Sequence, residues 1–310
     1  MNPMGKLQRS WCLFKSSLSI IARNKQLLVF PIVIFSLTVV IALFFLAPAA
    51  LRPTGFSYTQ AEHWQAIGNS LVTKTDGTGP GRGTAGFTPG ALAYLAFLYF
   101  VSMFFATFFN VAFYNEILAA LCGQPVSIGR GLRFALTRWK AVLLWTLFAG
   151  LVGLIIKAIE QRLEFVGRIL ARFLGLAWSI ASVFAIPIIV REEQGVNPIK
   201  LLKRSASILK QTWGEALIGY VGLTFANTLI LIGSAMLLMG ALFVSIALNN
   251  YWLLAITGGV WLLAMMVWGY VTSVASQVYK GALYLYAAEG VVAEPYNQEL
   301  LGMAWKYKKA

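Results

Sequence analysis

Asn197-Pro198-Ile199-Lys200-Leu201-Leu202-Lys203-Arg204-Ser205-Ala206-Ser207-Ile208-Leu209-Lys210-Gln211-Thr212-Trp213 decides how this chain folds. Read at helical spacing, Lys200, Lys203, Arg204, Ser207 and Lys210 share one face, opposite Leu202, Ala206, Leu209 and Trp213. Asn197 stands as an N-cap, and Pro198 takes the first helical position, where its missing amide donor costs nothing. Residues 216–248 follow without a single charge. A basic amphipathic helix that feeds a long uncharged run is the pattern of an interfacial helix beside a membrane span.

The same order occurs twice more. In residues 6–25, Leu7, Trp11, Phe14, Leu18 and Ile21 oppose Arg9, Lys15, Ser16, Ser19 and Arg23. Further on, Arg130, Arg133, Thr137 and Lys140 oppose Ile128, Leu132, Ala135 and Trp139. The first helix is expected in the headgroup region with Trp11 and Phe14 dipped toward the acyl chains; the alternative is a helix packed on the bundle. Arg9-Ser10 and Arg204-Ser205 each precede a Lys, six positions after the Arg, and Trp139 and Trp213 stand at one offset from Arg130 and Arg204. Together these suggest three repeated units, although short matches also arise by chance in biased composition.

Of the 310 residues, 59% are hydrophobic and 12% charged, about half the charged share of a soluble domain. The expected fold class is therefore all-α, a polytopic membrane protein with six transmembrane helices and basic amphipathic interfacial helices. Residues 1–26 form the first interfacial helix, residues 27–279 the membrane domain and residues 280–310 a cytoplasmic tail. The spans are placed at residues 27–46, 90–115, 141–156, 173–190, 216–248 and 251–279. Residues 51–89, with the run Asp76-Gly77-Thr78-Gly79-Pro80-Gly81-Arg82-Gly83, read as a flexible extracytoplasmic loop. Ala177, Ala181 and Ala185 step along the fourth span, a spacing that lets helices approach. Asn249-Asn250 reads as a tight turn.

Charge placement orients these spans. Of the 25 Lys and Arg residues, 18 fall in residues 1–26, 122–140, 191–215 and 280–310, all on one side of the membrane. Both termini are thus expected in the cytoplasm, in a bacterial inner membrane. The segment 157–172 carries four of the seven remaining charges and fits this scheme worst. Its Glu164 and Arg168 have favourable helical order. The formal charge of +14 clusters at the ends of apolar runs, which favours anionic lipid over nucleic acid.

Chemistry-bearing residues are few. With Cys12, Cys122 and His63 the only thiols and imidazole, no zinc cluster is expected. No paired catalytic carboxylates, H-E-x-x-H, nucleophile elbow or Walker motif occurs, so neither an enzyme nor a cofactor is expected. Asn110, Glu116 and Asn227 form a candidate intramembrane polar site, since ionisable groups at membrane depth are functional by default. Glu116 at the cytoplasmic interface, with the Asn residues as interhelical hydrogen bonders, is the blander reading. The candidate lipid-headgroup contacts are Arg9, Lys15, Arg130, Arg133, Lys203, Arg204 and Lys210.

Phe108-Phe109-Asn110 through Gly222 resembles uncharacterised bacterial integral membrane proteins grouped by a domain of unknown function, distantly similar to Yip1-like and glycerophosphodiesterase-associated membrane domains. The likeness rests on Ala177-Trp178, Pro187-Ile188-Ile189-Val190-Arg191-Glu192-Glu193-Gln194-Gly195, Lys203-Arg204-Ser205 and Lys210-Gln211-Thr212-Trp213-Gly214. It implies a six-span inner-membrane protein and carries no activity. The expected role is lipid-associated membrane organisation or partnership in assembly, with anionic lipids and a second copy or another membrane protein as partners. The alternative is a permease or channel for a small or lipidic solute.

Overall fold

The computed structural model describes residues 6–75, 84–162, 165–192, 197–212 and 216–296. Apart from one short hairpin, the secondary structure among the described residues is helical. In chain order the helices are α1 (Lys6–Arg23), a single 3-10 turn (Lys25–Leu28), α2 (Val29–Ala50), α3 (Ala61–Leu71), α4 (Pro89–Leu121), α5 (Ile128–Thr137), α6 (Trp139–Arg162), α7 (Phe165–Ala181), α8 (Ala185–Arg191), α9 (Pro198–Thr212), α10 (Ala216–Ala247) and α11 (Tyr251–Tyr284). A π-turn, Leu285–Glu289, closes α11. Among the described residues, six stretches are long and apolar enough to cross a membrane: Lys25–Pro48, Pro89–Leu121, Trp139–Arg162, Ile169–Arg191, Ile230–Ala247 and Tyr251–Glu289. The chain is an integral membrane protein of the all-α class.

Two expectations change. The loop after α2 is folded: it holds α3 and an antiparallel hairpin of β1 (Val72–Thr75) and β2 (Thr84–Phe87), with Val72 opposite Phe87. His63 and Ile67, four residues apart, give α3 a buried face that a reading of composition overlooks. The Gly-rich run 76–83 lies outside the described residues. Secondly, the fourth span breaks at residues 182–184, between α7 and α8. Pro187 has no amide hydrogen to offer the Val183 carbonyl, and its ring crowds that carbonyl, so a continuous helix through this point is disfavoured. The Ala177, Ala181 and Ala185 stripe is interrupted with it. Glu160 meets Arg172 at 3.7 Å; of the expected Glu164–Arg168 pair, Glu164 and the Arg168 side chain lie outside the described residues.

By compactness the chain divides into two units, one of Met1–Pro31, Val111–Thr137 and Leu176–Ala310, the other of Ile32–Asn110 and Arg138–Gly175. In the first, the core forms around the last turns of α4, where Val111, Ala112, Phe113 and Ile117 have no exposed surface. Two glycines bring neighbours to backbone range. A Cβ on Gly131 would lie 2.8 Å from the Ala112 carbonyl oxygen, and one on Gly281 would lie 2.8 Å from Ile117 Cγ2. Helix α1 packs on α10 and α11, burying Leu13, Phe14, Ile20 and Ile21. Phe14 meets the Trp268 ring at 6.0 Å, and Ser17 Oγ shares a 2.7 Å hydrogen bond with the Tyr296 hydroxyl. Phe14 is therefore covered by protein instead of dipping into lipid, because α11 offers it an aromatic partner; Trp11 stays 48% exposed.

The breaks and turns of this unit are capped locally. The Phe184 amide, freed where α7 ends, donates to Ser205 Oγ of α9 at 3.1 Å. Asn197 Oδ1 accepts from the Ile199 amide at 2.9 Å, the expected N-cap of α9. Asn249 has φ of 47°, and Asn250 caps α11 by accepting from the Trp252 amide at 3.1 Å. The Tyr270 hydroxyl donates to the Leu28 carbonyl of the 3-10 turn.

In the second unit, α2 and α4 are fastened near the end of α2. The Tyr94 hydroxyl donates to the Phe45 carbonyl, and the Phe45 and Phe97 rings meet edge to face at 5.8 Å. Helix α6 crosses α4 where Gly150 leaves room for Phe100: a Cβ there would sit 2.7 Å from Phe100 Cε1. Leu92, Leu95, Phe97, Leu144, Leu147 and Leu151 turn outward, as helices solvated by lipid do.

Candidate functional site

At the end of α4 the chain reverses through a left-handed Gly123, φ 76°. The Gly123 amide donates to the Ala120 carbonyl at 3.1 Å and the Gln124 amide to Ala119 at 2.9 Å, the bond pair of a Schellman cap. Pro125 follows, and α5 starts at Ile128. This reversal lays α5 against the last turns of α4, and Gly131 allows the approach. Arg130, one residue earlier, is thereby delivered to Glu116.

Glu116 is fully buried, and both of its oxygens are taken. Arg130 Nε donates to Oε1 at 2.9 Å and Arg130 Nη2 to Oε2 at 2.6 Å, a bidentate pair. Asn115 Nδ2 donates to Oε1 at 2.9 Å, and the Ser127 amide to Oε2 at 2.7 Å. Ser127 directly precedes α5, so the carboxylate also sits where a helix N-terminus favours negative charge. Arg130 Nη2 reaches the Pro125 carbonyl as well, at 2.8 Å. The hydrogen bonds that Arg130 donates to Glu116 raise its pKa above the ordinary value, with desolvation opposing and the charge of Glu116 adding to the rise. A carboxylate so occupied holds a turn in place; it offers no open lone pair to a solute.

A second ionic group ties the ends of several helices. Arg191, the last residue of α8, meets Glu289 of the π-turn with Nε to Oε1 at 2.9 Å, and its Nη2 lies 3.8 Å from Cys122 Sγ. Arg204 of α9 pairs with Glu192. The Phe184 and Tyr284 rings lie 5.9 Å apart. In the sequence Arg191-Glu192 marks only a return to water. Its structural role had no local signal, because Glu289 is almost a hundred residues distant.

The predicted site residues thus separate. Arg130 and Arg204, expected at lipid headgroups, pair with Glu116 and Glu192, while their side chains stay 41% and 56% exposed. Lys15, Arg133, Lys203 and Lys210 are exposed. The side chains of Arg9 and Asn227 lie outside the described residues. Asn110 is half-buried and belongs to the second unit, whereas Glu116 belongs to the first. Asn115 and Ser127 complete the carboxylate site; the adjacency of Asn115 to Glu116 was the only hint of this. Among the described residues no three His, Cys, Asp or Glu side chains gather in a group that could hold a metal ion.

A family model described as a family of unknown function, DUF6159, matches residues 91–294. The chain belongs to this family. The DUF6159 match runs from the first turn of α4 to just beyond the π-turn, and so includes Glu116, Arg130, Arg191, Arg204 and Glu289. Helix α1, helix α2 and the α3 segment precede it. The match brings no likeness to Yip1-like or glycerophosphodiesterase-associated domains with it. No curated protein and no solved structure matches the chain.

Proposed function

We propose that this integral membrane protein associates with anionic lipid through three basic helices on its cytoplasmic side and acts in membrane organisation or as an assembly partner, without enzymatic activity. The bacterial inner membrane, with both termini cytoplasmic, is part of the proposal. So is the distant likeness to Yip1-like and glycerophosphodiesterase-associated membrane domains, which rests on the residues quoted above.

One observation carries this reading: α1, α5 and α9, far apart in sequence, fall in one compact unit, each with an apolar face buried in protein and basic residues exposed. The buried positions are Leu13, Phe14, Ile20 and Ile21 of α1, Gly131 and Ala135 of α5, and Leu201 and Ile208 of α9. Lys15, Arg133, Lys203 and Lys210 remain on the outside, where each Lys or Arg near an anionic surface contributes about 1 kcal/mol of attraction.

The test replaces these four residues with Gln and measures retention of phosphatidylglycerol against phosphatidylcholine in nanodiscs by native mass spectrometry. Severalfold loss of the anionic preference is expected, and an unchanged preference overturns the reading. A permease or channel lined by Asn110, Glu116 and Asn227 draws no support from Glu116, whose oxygens are already filled by four donors.

A further inference from the structure

We propose that α3 and its neighbouring hairpin form a cap lying on the membrane surface, with Phe56, Tyr58, Trp64 and Phe87 seated among the lipid headgroups beside the end of α2. This goes beyond the basic helices: it concerns the other compact unit, and its contact is aromatic where theirs is cationic.

The cap is tied at both ends to membrane-length helices. His63 Nε2 lies 3.0 Å from the carbonyl oxygen of Ala50, the last residue of α2, and its Nδ1 lies 2.6 Å from Thr54 Oγ1. The His63 ring has no exposed surface. At the other end, the Thr88 amide donates to the Leu71 carbonyl at 2.9 Å, immediately before α4 begins at Pro89. Arg52 Nη1 adds a third tie, to Ser70 Oγ at 3.3 Å. Since Tyr94 and Phe97 of α4 hold Phe45 of α2, both attachment points sit at one end of a helical pair.

The aromatics are fixed relative to these ties. Tyr58 and Trp64 flank the His63 ring edge-on at 4.9 and 5.2 Å, and Trp64 Nε1 donates to the Tyr58 carbonyl at 3.0 Å. Even so, Phe56, Tyr58, Trp64 and Phe87 are each at least half exposed. Leu43, Phe44 and Leu46 of α2, and Leu51 just after it, are likewise at least half exposed. Indole and phenol rings at the end of a spanning helix prefer the headgroup level, where an apolar body and a polar tip are both solvated. On α3 the polar residues Glu62 and Asn69 fall on the side away from Trp64, which gives the helix a lipid-facing and a water-facing side.

The test places one bimane-labelled cysteine per protein, at Trp64 or at Asn69, with Cys12 and Cys122 replaced by Ser, in nanodiscs of phosphatidylcholine and phosphatidylglycerol. The W64C label should lose severalfold more fluorescence to lipids carrying a shallow doxyl group than to aqueous iodide, and the N69C label should show the reverse. Equal iodide quenching at both positions, or protection of W64C from both quenchers by a protein partner or second copy, overturns the proposal. Labels at F56C and F87C give the same reading if the Trp64 substitution disturbs the cap.

Discussion

The Arg130 guanidinium grips the Glu116 carboxylate through two bonds, of 2.9 and 2.6 Å, across the reversal that joins α4 to α5. A carboxylate without exposed surface must be paired or neutralised, and here one side chain supplies the pairing while also holding the Pro125 carbonyl. Arg130→Gln, which strands the carboxylate, is expected to cost about 3 kcal/mol or more of stability. Replacing both residues with Met should recover most of that loss. Denaturant unfolding in detergent measures each, and an Arg130→Gln variant as stable as the parent would refute the structural role.

Glycines separate by what surrounds them. Gly131→Ala and Gly281→Ala each force a methyl to within 2.8 Å of another atom, in the first case a backbone oxygen. Each should destabilise by about 1–3 kcal/mol. Gly233→Ala and Gly258→Ala meet nothing within 4 Å and sit in helices, where the change should be neutral or stabilising by up to about 1 kcal/mol. The melting temperatures of the four variants in detergent should divide in that order.

Ser205 contributes through one bond. Its hydroxyl, fully buried, is the acceptor for the Phe184 amide at the interruption between α7 and α8. Ser205→Ala leaves that amide unsatisfied, at a cost of about 1–3 kcal/mol. Hydrogen exchange at residues 182–184 should accelerate in the variant, and unchanged protection would mean that another group receives the bond.

His63→Ala should free the α3 segment without unfolding the membrane helices, because its ring bonds reach only Thr54 and the end of α2. Limited proteolysis should then cut between residues 51 and 88 severalfold faster than in the parent. Equal cleavage rates would show that the segment holds without the imidazole.

Alkaline pH acts on Tyr296. Burial pushes its hydroxyl above the ordinary tyrosine range, more than the hydrogen bond shared with Ser17 pulls it back, and nearby Tyr279 adds to the rise. With the folded pKa above the unfolded one, the protonated phenol contributes stability that is intact below about pH 10 and falls as pH rises past it. Tyr296→Phe should flatten that part of the decline in unfolding midpoint; an unaltered slope would assign the decline elsewhere.

The membrane class was legible because lipid-length runs such as residues 27–46 lack charge altogether, a signal that needs no partner. The α9 start was legible for a similar reason: Asn197 and Pro198 act on amides within two residues of themselves. Pairings across the chain left no such trace. Arg130 and Arg204 sit on the basic faces of their helices just as Lys203 does, and only the fold puts carboxylates beside two of the three. The sequence leaves Phe14 open between lipid and the bundle, because an aromatic ring has the same hydropathy whether it meets an acyl chain or Trp268. The α3 segment was missed because its buried face amounts to His63 and Ile67, too little to emerge from a polar, Gly-rich background.

Helix α4 illustrates what such a background conceals. Its first half exposes Leu92, Leu95 and Phe97, while Val111 through Phe113 and Ile117, on the same unbroken helix, are sealed from every solvent. The two halves share one amino-acid vocabulary and obey opposite tolerances. An outward leucine can be exchanged for any residue that dissolves in oil, whereas an inward one must match the shape of its neighbours to within a methyl group. Sequence drift should therefore be permissive along the first turns of this helix and tightly rationed along its last.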